Sequence, residues 1–377
     1  MSSYLVPLQH PRPDIEHFLR AVRGEIAPKK PPMVEYLVDN ALMQPILEDL
    51  LHRPWVDTSD KTEYMGGQMD LSREARHSVD AWLDNQIEFW YRMGYDFVRV
   101  EVSLPLPAVS HVVADTARGN EEHARAWQGL GTGPIQSWED FERYPWPKIT
   151  DDNFYIHRYI CSHLPDGLGF ISCHAGGVYE HVSRLMGYEN LCLKLYDQPD
   201  LVRAVTDRLG ELILEYNRRL LELDRLSVIF QGEDFGFNTQ TLLPPQVIRD
   251  YFLPWHARYA SQIHARGLPY FMHSCGAVDE LMDDLIDVVK IDGKHSFQDN
   301  VVPVTEAKKR WGKRIGILGG IDVHKLTTLT EEELRAYVRR VIDACADGGR
   351  FAVGAGNSIP SYIPMGNYLT LLDESLR

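Results

Sequence analysis

The sequence predicts an α/β fold: a single (β/α)8 TIM barrel over residues 1–377, with an N-terminal extension at 1–32 and an insertion after the second strand at 103–168. Three observations predict it. Eight short apolar runs alternate with helix-patterned stretches, as in a parallel sheet buried on both faces. Most of these runs end in polar, titratable or glycine-rich clusters, and a barrel carries its chemistry at the C-terminal ends of its strands. No G-x-G-x-x-G follows the first run to open a helix, which counts against an open dinucleotide-binding sheet. Gly354-Ala355-Gly356 falls at the last run and lacks the third glycine.

The elements follow in order. A helix is expected from about Asp14 to Arg23, after Pro11 and Pro13. Met33 to Val38 reads as the first strand, followed by Asp39 and Asn40. From Arg73 to Met93, Val79, Trp82, Leu83, Ile87, Phe89 and Trp90 recur at helical spacing, and Gly94 supplies the usual helix stop. That aromatic stripe is core packing. The second strand is Phe97 to Val102. Beyond it, Pro105, Pro107, Pro145, Pro147 and the polar run from Asp115 to Arg125 mark the insertion over the top of the fold.

The third strand is Gly169 to His174, ending in Ala175-Gly176-Gly177. Helical pattern runs from Tyr188 to Leu223, broken near Gln198-Pro199-Asp200, and leads to the fourth strand, Leu226 to Gln231. A helix from Pro245 to Arg266 precedes the fifth, Leu268 to Met272. The sixth strand is Val288 to Asp292, the seventh Ile315 to Leu318 and the eighth Phe351 to Gly354. Helices at Val278 to Leu285, Val304 to Trp311 and Glu331 to Ala346 separate them.

Bulk properties narrow the partners. A composition of 44% hydrophobic and 25% charged residues is that of an ordinary globular protein. A net charge of −15 disfavours nucleic acid and anionic membrane surfaces, both of which need Lys/Arg-rich faces. No apolar run approaches the roughly 18 residues of a membrane span, and the N-terminus lacks the apolar core of a signal peptide. The five cysteines are widely spaced with no CxxC, which fits a reducing compartment and a cytoplasmic protein.

The most informative stretch is Tyr270-Phe271-Met272-His273-Ser274-Cys275-Gly276. Residues two apart on a strand share a face, so His273 and Cys275 can offer an imidazole and a thiolate to one metal ion. Zinc favours both donors. Around this pair the other strand ends contribute Glu35 or Asp39, Glu101, His174, Glu233 with Asp234, Lys294 with His295, Asp322 and Asn357. Each has a plainer reading: Asp322 as a helix cap, Lys294 as a solvated charge, His174 as a satisfied core histidine. Their coincidence at nearly every strand end is what points to a site. Two motifs fail. Asp322-Val323-His324 begins a D-x-H-x-x-G but has Thr327 in place of the glycine, and no G-x-S-x-G is present.

The run Gln231 to Gly236, then Phe271-Met272-His273-Ser274-Cys275-Gly276, then Gly319-Gly320-Ile321-Asp322, resembles the uroporphyrinogen decarboxylase superfamily over about residues 170 to 377. Lys294 to Phe297 and Gly354 to Pro360 add to the likeness. The resemblance implies a (β/α)8 barrel with two functional branches. One branch is metal-free decarboxylases that hold substrate carboxylates with an N-terminal R-Q-A-G-R; here Glu35 to Asn40 replaces that motif. The other is zinc-dependent methyltransferases acting with a corrinoid protein, whose ligands are His-x-Cys and a distant Cys. His273 and Cys275 match the pair, but the eighth strand end has no Cys, so Glu233 or Glu101 is expected to complete the metal set.

By this resemblance the chain is closest to the O-demethylase-type branch. The implied activity moves a methyl group between a methoxy compound or thiol and methylcobalamin carried by a separate protein, with zinc as Lewis acid. The alternative is a metal-free decarboxylase of a small carboxylated substrate. Glu233, Asp234 and His295 are the expected catalytic groups. Glu101, His174, Lys294, Asp322 and Asn357 are expected to bind substrate, and the superfamily's habit of pairing makes a homodimer an expectation too.

Overall fold

The computed structural model describes residues 4–58, 73–104, 106, 111–114, 124–127 and 132–377. Pro105, Pro107 and residues 115–123 of the expected insertion lie outside these. Seven parallel strands form one sheet: β1 (Phe97–Ser103), β4 (Gly169–Ala175), β5 (Leu226–Gly232), β6 (Tyr270–His273), β7 (Gly293–His295), β8 (Gly316–Leu318) and β9 (Phe351–Ala352), hydrogen-bonded in that order. A separate antiparallel hairpin pairs β2 (His111–Ala114) with β3 (Ala124–Trp127). The sheet curls into a half-barrel. The expected first strand is present only as two isolated parallel bridges, Met33 to Val353 and Val38 to Ile359, which lay residues 33–38 along the last strand. Eight full strands are therefore not found among the described residues.

Nearly every residue of the seven-stranded sheet is buried, because helices cover the outer face and side chains fill the inner one. The helix Arg73–Arg92 buries Val79, Leu83, Phe89 and Trp90, as its spacing predicts. The stretch 103–168 also holds the helix Tyr155–His163, which packs against Arg73–Arg92 and leads into β4. Helices Val178–Met186 and Met365–Leu376 add to the elements that the sequence predicts. The expected sixth strand is displaced. Val288 and Val289 end a helical turn, Lys290 reverses the chain in the left-handed region, and the strand begins only at Gly293. Val288 is 58% exposed, which no central strand residue could be. Among the described residues no helix is long and apolar enough to cross a membrane.

The N-terminal helix Ile15–Val22 stoppers the lower end of the sheet. Phe18 sets its ring edge-on to Phe97 at 5.2 Å and reaches Phe271, both at strand starts. Asp14 caps this helix by accepting from the His17 N–H, and its own N–H donates to the Asp96 carboxylate. Burial pushes the Asp96 carboxyl up to about 6, against the opposing pull of that hydrogen bond. Its folded pKa thus exceeds the unfolded value, so its contribution is full below about pH 4 and is lost as pH rises through 6. Asp96→Asn, which keeps a carbonyl acceptor, is expected to raise stability at pH 8 by on the order of 1–2 kcal/mol and to be neutral at pH 4. Thermal unfolding at both pH values checks this; an equal effect at both would refute it.

Candidate metal centre

Strand alternation decides which side chains enter the half-barrel. On β5, Phe230 lies inside against Tyr36, Phe271 and His295, and a side chain at Gly232 would strike the Tyr36 hydroxyl at 2.3 Å. On β6, Phe271 and His273 face inward, while Tyr270 faces the helices and bonds His256. The next residues inward in each case are Asp234 and Cys275.

Two loops bring them together. Gly236 and Gly276 pack backbone against backbone, where a side chain on either would come within 2.6 Å of main-chain atoms. This contact lets the Cys275 N–H donate to Asp234 Oδ1 at 2.9 Å. His273 Nε2 then lies 3.2 Å from Cys275 Sγ and 3.7 Å from Asp234 Oδ1. The three donor atoms lie within 4.8 Å of one another. Tetrahedral zinc with bonds of about 2.0–2.3 Å has ligand edges of about 3.4–3.6 Å, so an oxygen, a nitrogen and a sulfur here fit it. The His273 side chain is 6% exposed and the Asp234 side chain 43%, so the cluster is closed below and open above.

Each donor is held from behind. Tyr36 stacks on the His273 ring with centroids 4.0 Å apart and planes 15° apart. The Arg99 guanidinium caps the Tyr36 ring at 4.0 Å. His273 Nδ1 meets His295 Nδ1 at 2.7 Å, and His295 Nε2 donates to Ala355 O at 3.0 Å. Asn357 Nδ2 donates to Cys275 Sγ at 3.2 Å; its orientation is set by the Ser358 N–H, which can only face Asn357 Oδ1. Burial holds His273 well below the usual histidine range and His295 near 3, so both rings are neutral. Burial, and then the Asp234 charge, push the Cys275 thiol up to about 12. A thiol in that state becomes a thiolate when a dication coordinates it, which is the chemistry this donor set invites.

The structure redistributes the expected residues. His273, Cys275, Asp234, His295 and Asn357 converge on the cluster. Glu233, expected as metal ligand and catalytic group, turns away to the helix layer. Its carboxylate accepts from Tyr179 N–H and Glu180 N–H at the start of the helix Val178–Met186 and meets His256 Nε2 at 2.8 Å. A carboxyl group buried at a helix N-terminus satisfies otherwise unpaired N–H groups, and burial raises the Glu233 carboxyl to about 8. Its sequence neighbour Asp234 is the carboxylate beside His273 and Cys275 instead.

Glu101 lies inside but is committed to Arg99 at 2.6 Å, and Cys173 Sγ donates to the same oxygen. Neither carboxylate is free to serve as third donor. His174 alternates out of the half-barrel into the helix layer beside His181 and Tyr216. Lys294 also points outward, donating to Ser274 O and Ser296 O and so tying the ends of β6 and β7 together. Asp322 caps the helix Val323–Thr328 and accepts from the Asp299 N–H. Glu35 faces outward as well, accepting from the Ala355 N–H, and Asp39 caps the short helix at Asn40. These are structural roles, not contacts with the cluster. Sequence reasoning missed Tyr36 and Arg99. Strand parity could have found both: Tyr36 is the neighbour of Glu35, and Arg99 shares a face with Glu101.

Comparison with known proteins agrees with this architecture. No curated protein matches the chain in sequence. Among solved structures, a methyltransferase from Methanosarcina mazei superposes with a TM-score of 0.69 at 14% identity, covering 97% of this chain and 98% of that one. A structure from Listeria monocytogenes described as a "Putative Vitamin-B12 Independent Methionine Synthase" reaches a TM-score of 0.48 at 10% identity, covering 93% and 97%. The sequence model of the uroporphyrinogen decarboxylase (URO-D) family matches residues 131–375. The chain belongs to the uroporphyrinogen decarboxylase family.

Proposed function

We propose that the chain is a zinc-dependent methyltransferase that moves a methyl group between a small methylated substrate and a corrinoid held by a separate protein. The observation that carries this reading is the convergence of Asp234, His273 and Cys275, three zinc-type donors in a cleft open on one side. Bound zinc would supply Lewis acidity toward the oxygen or sulfur that carries the methyl group. A set with one thiolate, one imidazole and one carboxylate is harder than a two-thiolate set, which favours a methoxy compound over a thiol. The methyltransferase fold of the Methanosarcina structure supports the reading.

The chain's own residues set up the site. Asp234, His273 and Cys275 hold the metal; Tyr36 fixes the plane of the His273 ring, and Asn357 donates to the sulfur. Glu180 accepts from the Gly177 N–H and lies 3.8 Å from the Arg184 guanidinium, while burial and the Asp234 and Glu233 charges raise its carboxyl. Residues 1–377 act as one (β/α)8 unit in this reading, with 33–38 as the strand that completes it.

Plasma mass spectrometry of protein purified without chelator tests the reading. About one zinc per chain is expected in the native protein and none in Cys275→Ser. Absence of zinc from a folded native protein would sink it and turn attention to Asp234 as the stabilising carboxylate of a metal-free decarboxylase. If zinc is found, demethylation of a methoxy compound with an added corrinoid protein is the next measurement.

A further inference from the structure

We infer that His295 is a positioning residue that locks the tautomer of His273 so that its Nε2 lone pair faces Cys275 and Asp234. The inference rests on the zinc reading above and deepens it. Ala355 O is a carbonyl and can only accept, so His295 Nε2, 3.0 Å away, carries a hydrogen. His295 is fully buried, no carboxylate among the described residues touches it, and the Arg99 guanidinium lies just across Tyr36, so the ring is neutral. A neutral imidazole with its hydrogen on Nε2 has a bare Nδ1.

That bare nitrogen faces His273 Nδ1 at 2.7 Å. Two bare nitrogens would repel at this distance and two protonated ones would clash, so the hydrogen between them belongs to His273 Nδ1. His273 Nε2 is then unprotonated, and it is the nitrogen 3.2 Å from Cys275 Sγ and 3.7 Å from Asp234 Oδ1. The ring is ready to ligate without first shedding a proton. The chain Ala355 O, His295, His273 links the segment after β9 to the ends of β7 and β6, so three parts of the sheet's upper end set the direction of one lone pair. Outer-shell partners of this kind commonly decide ligand orientation and tautomer.

Two measurements test it together. In metal-free native protein labelled with 15N-histidine, two-bond proton–nitrogen correlation, with His273→Ala used for assignment, should show His273 protonated at Nδ1 and bare at Nε2. The opposite tautomer would overturn the inference whatever the metal does. In chelator competition, His295→Phe, which fills the space without hydrogen bonds, should weaken zinc binding about 10–100-fold. His295→Gln, which keeps an acceptor and a donor, should recover most of that loss. His273→Ala in the same assay tests the metal reading separately. If it binds zinc as the native chain does, the centre itself is wrong. If it loses zinc while His295→Phe stays within twofold of native, the centre stands and the lock is refuted.

Discussion

Asp234→Ala is expected to weaken zinc binding by more than about 100-fold with the fold intact, whereas Glu233→Ala should keep the zinc and cost on the order of 3–5 kcal/mol of stability. The two carboxylates are adjacent in sequence and opposite in role. Asp234 is partly exposed and accepts from the Cys275 N–H, a bond that water can replace when the carboxylate is removed. In the proposed centre its loss takes away one of three donors. Glu233 is buried and accepts from two N–H groups of the helix Val178–Met186 besides meeting His256. Truncation leaves those groups without partners in a place water does not reach. Zinc titration of both variants, with urea unfolding beside it, separates the effects. Loss of zinc in Glu233→Ala at undiminished stability would restore Glu233 as the ligand and overturn the assignment.

The second large effect concerns the floor of the site. Arg99 and Glu101 form an ion pair at 2.6 Å, with side chains 0% and 3% exposed. Arg99 Nε and Nη1 have no hydrogen-bond partner, so Glu101 and the Phe230 carbonyl carry its compensation. Glu101→Ala strands a buried cation and should destabilise by on the order of 3–5 kcal/mol. The double variant Arg99→Met/Glu101→Leu removes both charges at similar volume and should recover most of that loss, since well-packed apolar groups often replace a buried pair at little cost. It should still loosen the His273 ring, because Tyr36 loses the guanidinium on its other face. A double-mutant cycle by chemical denaturation checks the first part; additive losses would refute the pairing argument.

The displaced strand and the exchanged carboxylates share a cause. Apolar, β-branched runs announce strands, but neither their limits nor their register is contained in composition. Val288-Val289 has strand character, yet helix packing claims it, and β7 starts at Gly293. Asp234 rather than Glu233 lies beside His273 and Cys275, a difference of one residue, and a one-residue shift along extended chain reverses the face a side chain occupies. Tyr36 is masked in the sequence for the same reason, because Glu35 beside it carries the more reactive group. His273 and Cys275 escaped this problem: their spacing of two guarantees a shared face in any register.

The sequence by itself determined the alternation of strands and helices, because hydrophobic periodicity is a local property, and it determined the His273–Cys275 pair, because parity within one strand is local too. Tertiary structure decided the rest of the centre. Asp234 reaches Cys275 across 41 residues, Asn357 reaches it across 82, and His295 reaches His273 across 22. Those partners lie on or just beyond the ends of different strands, and only the curling of the sheet and the close approach of Gly236 and Gly276 bring them to one point.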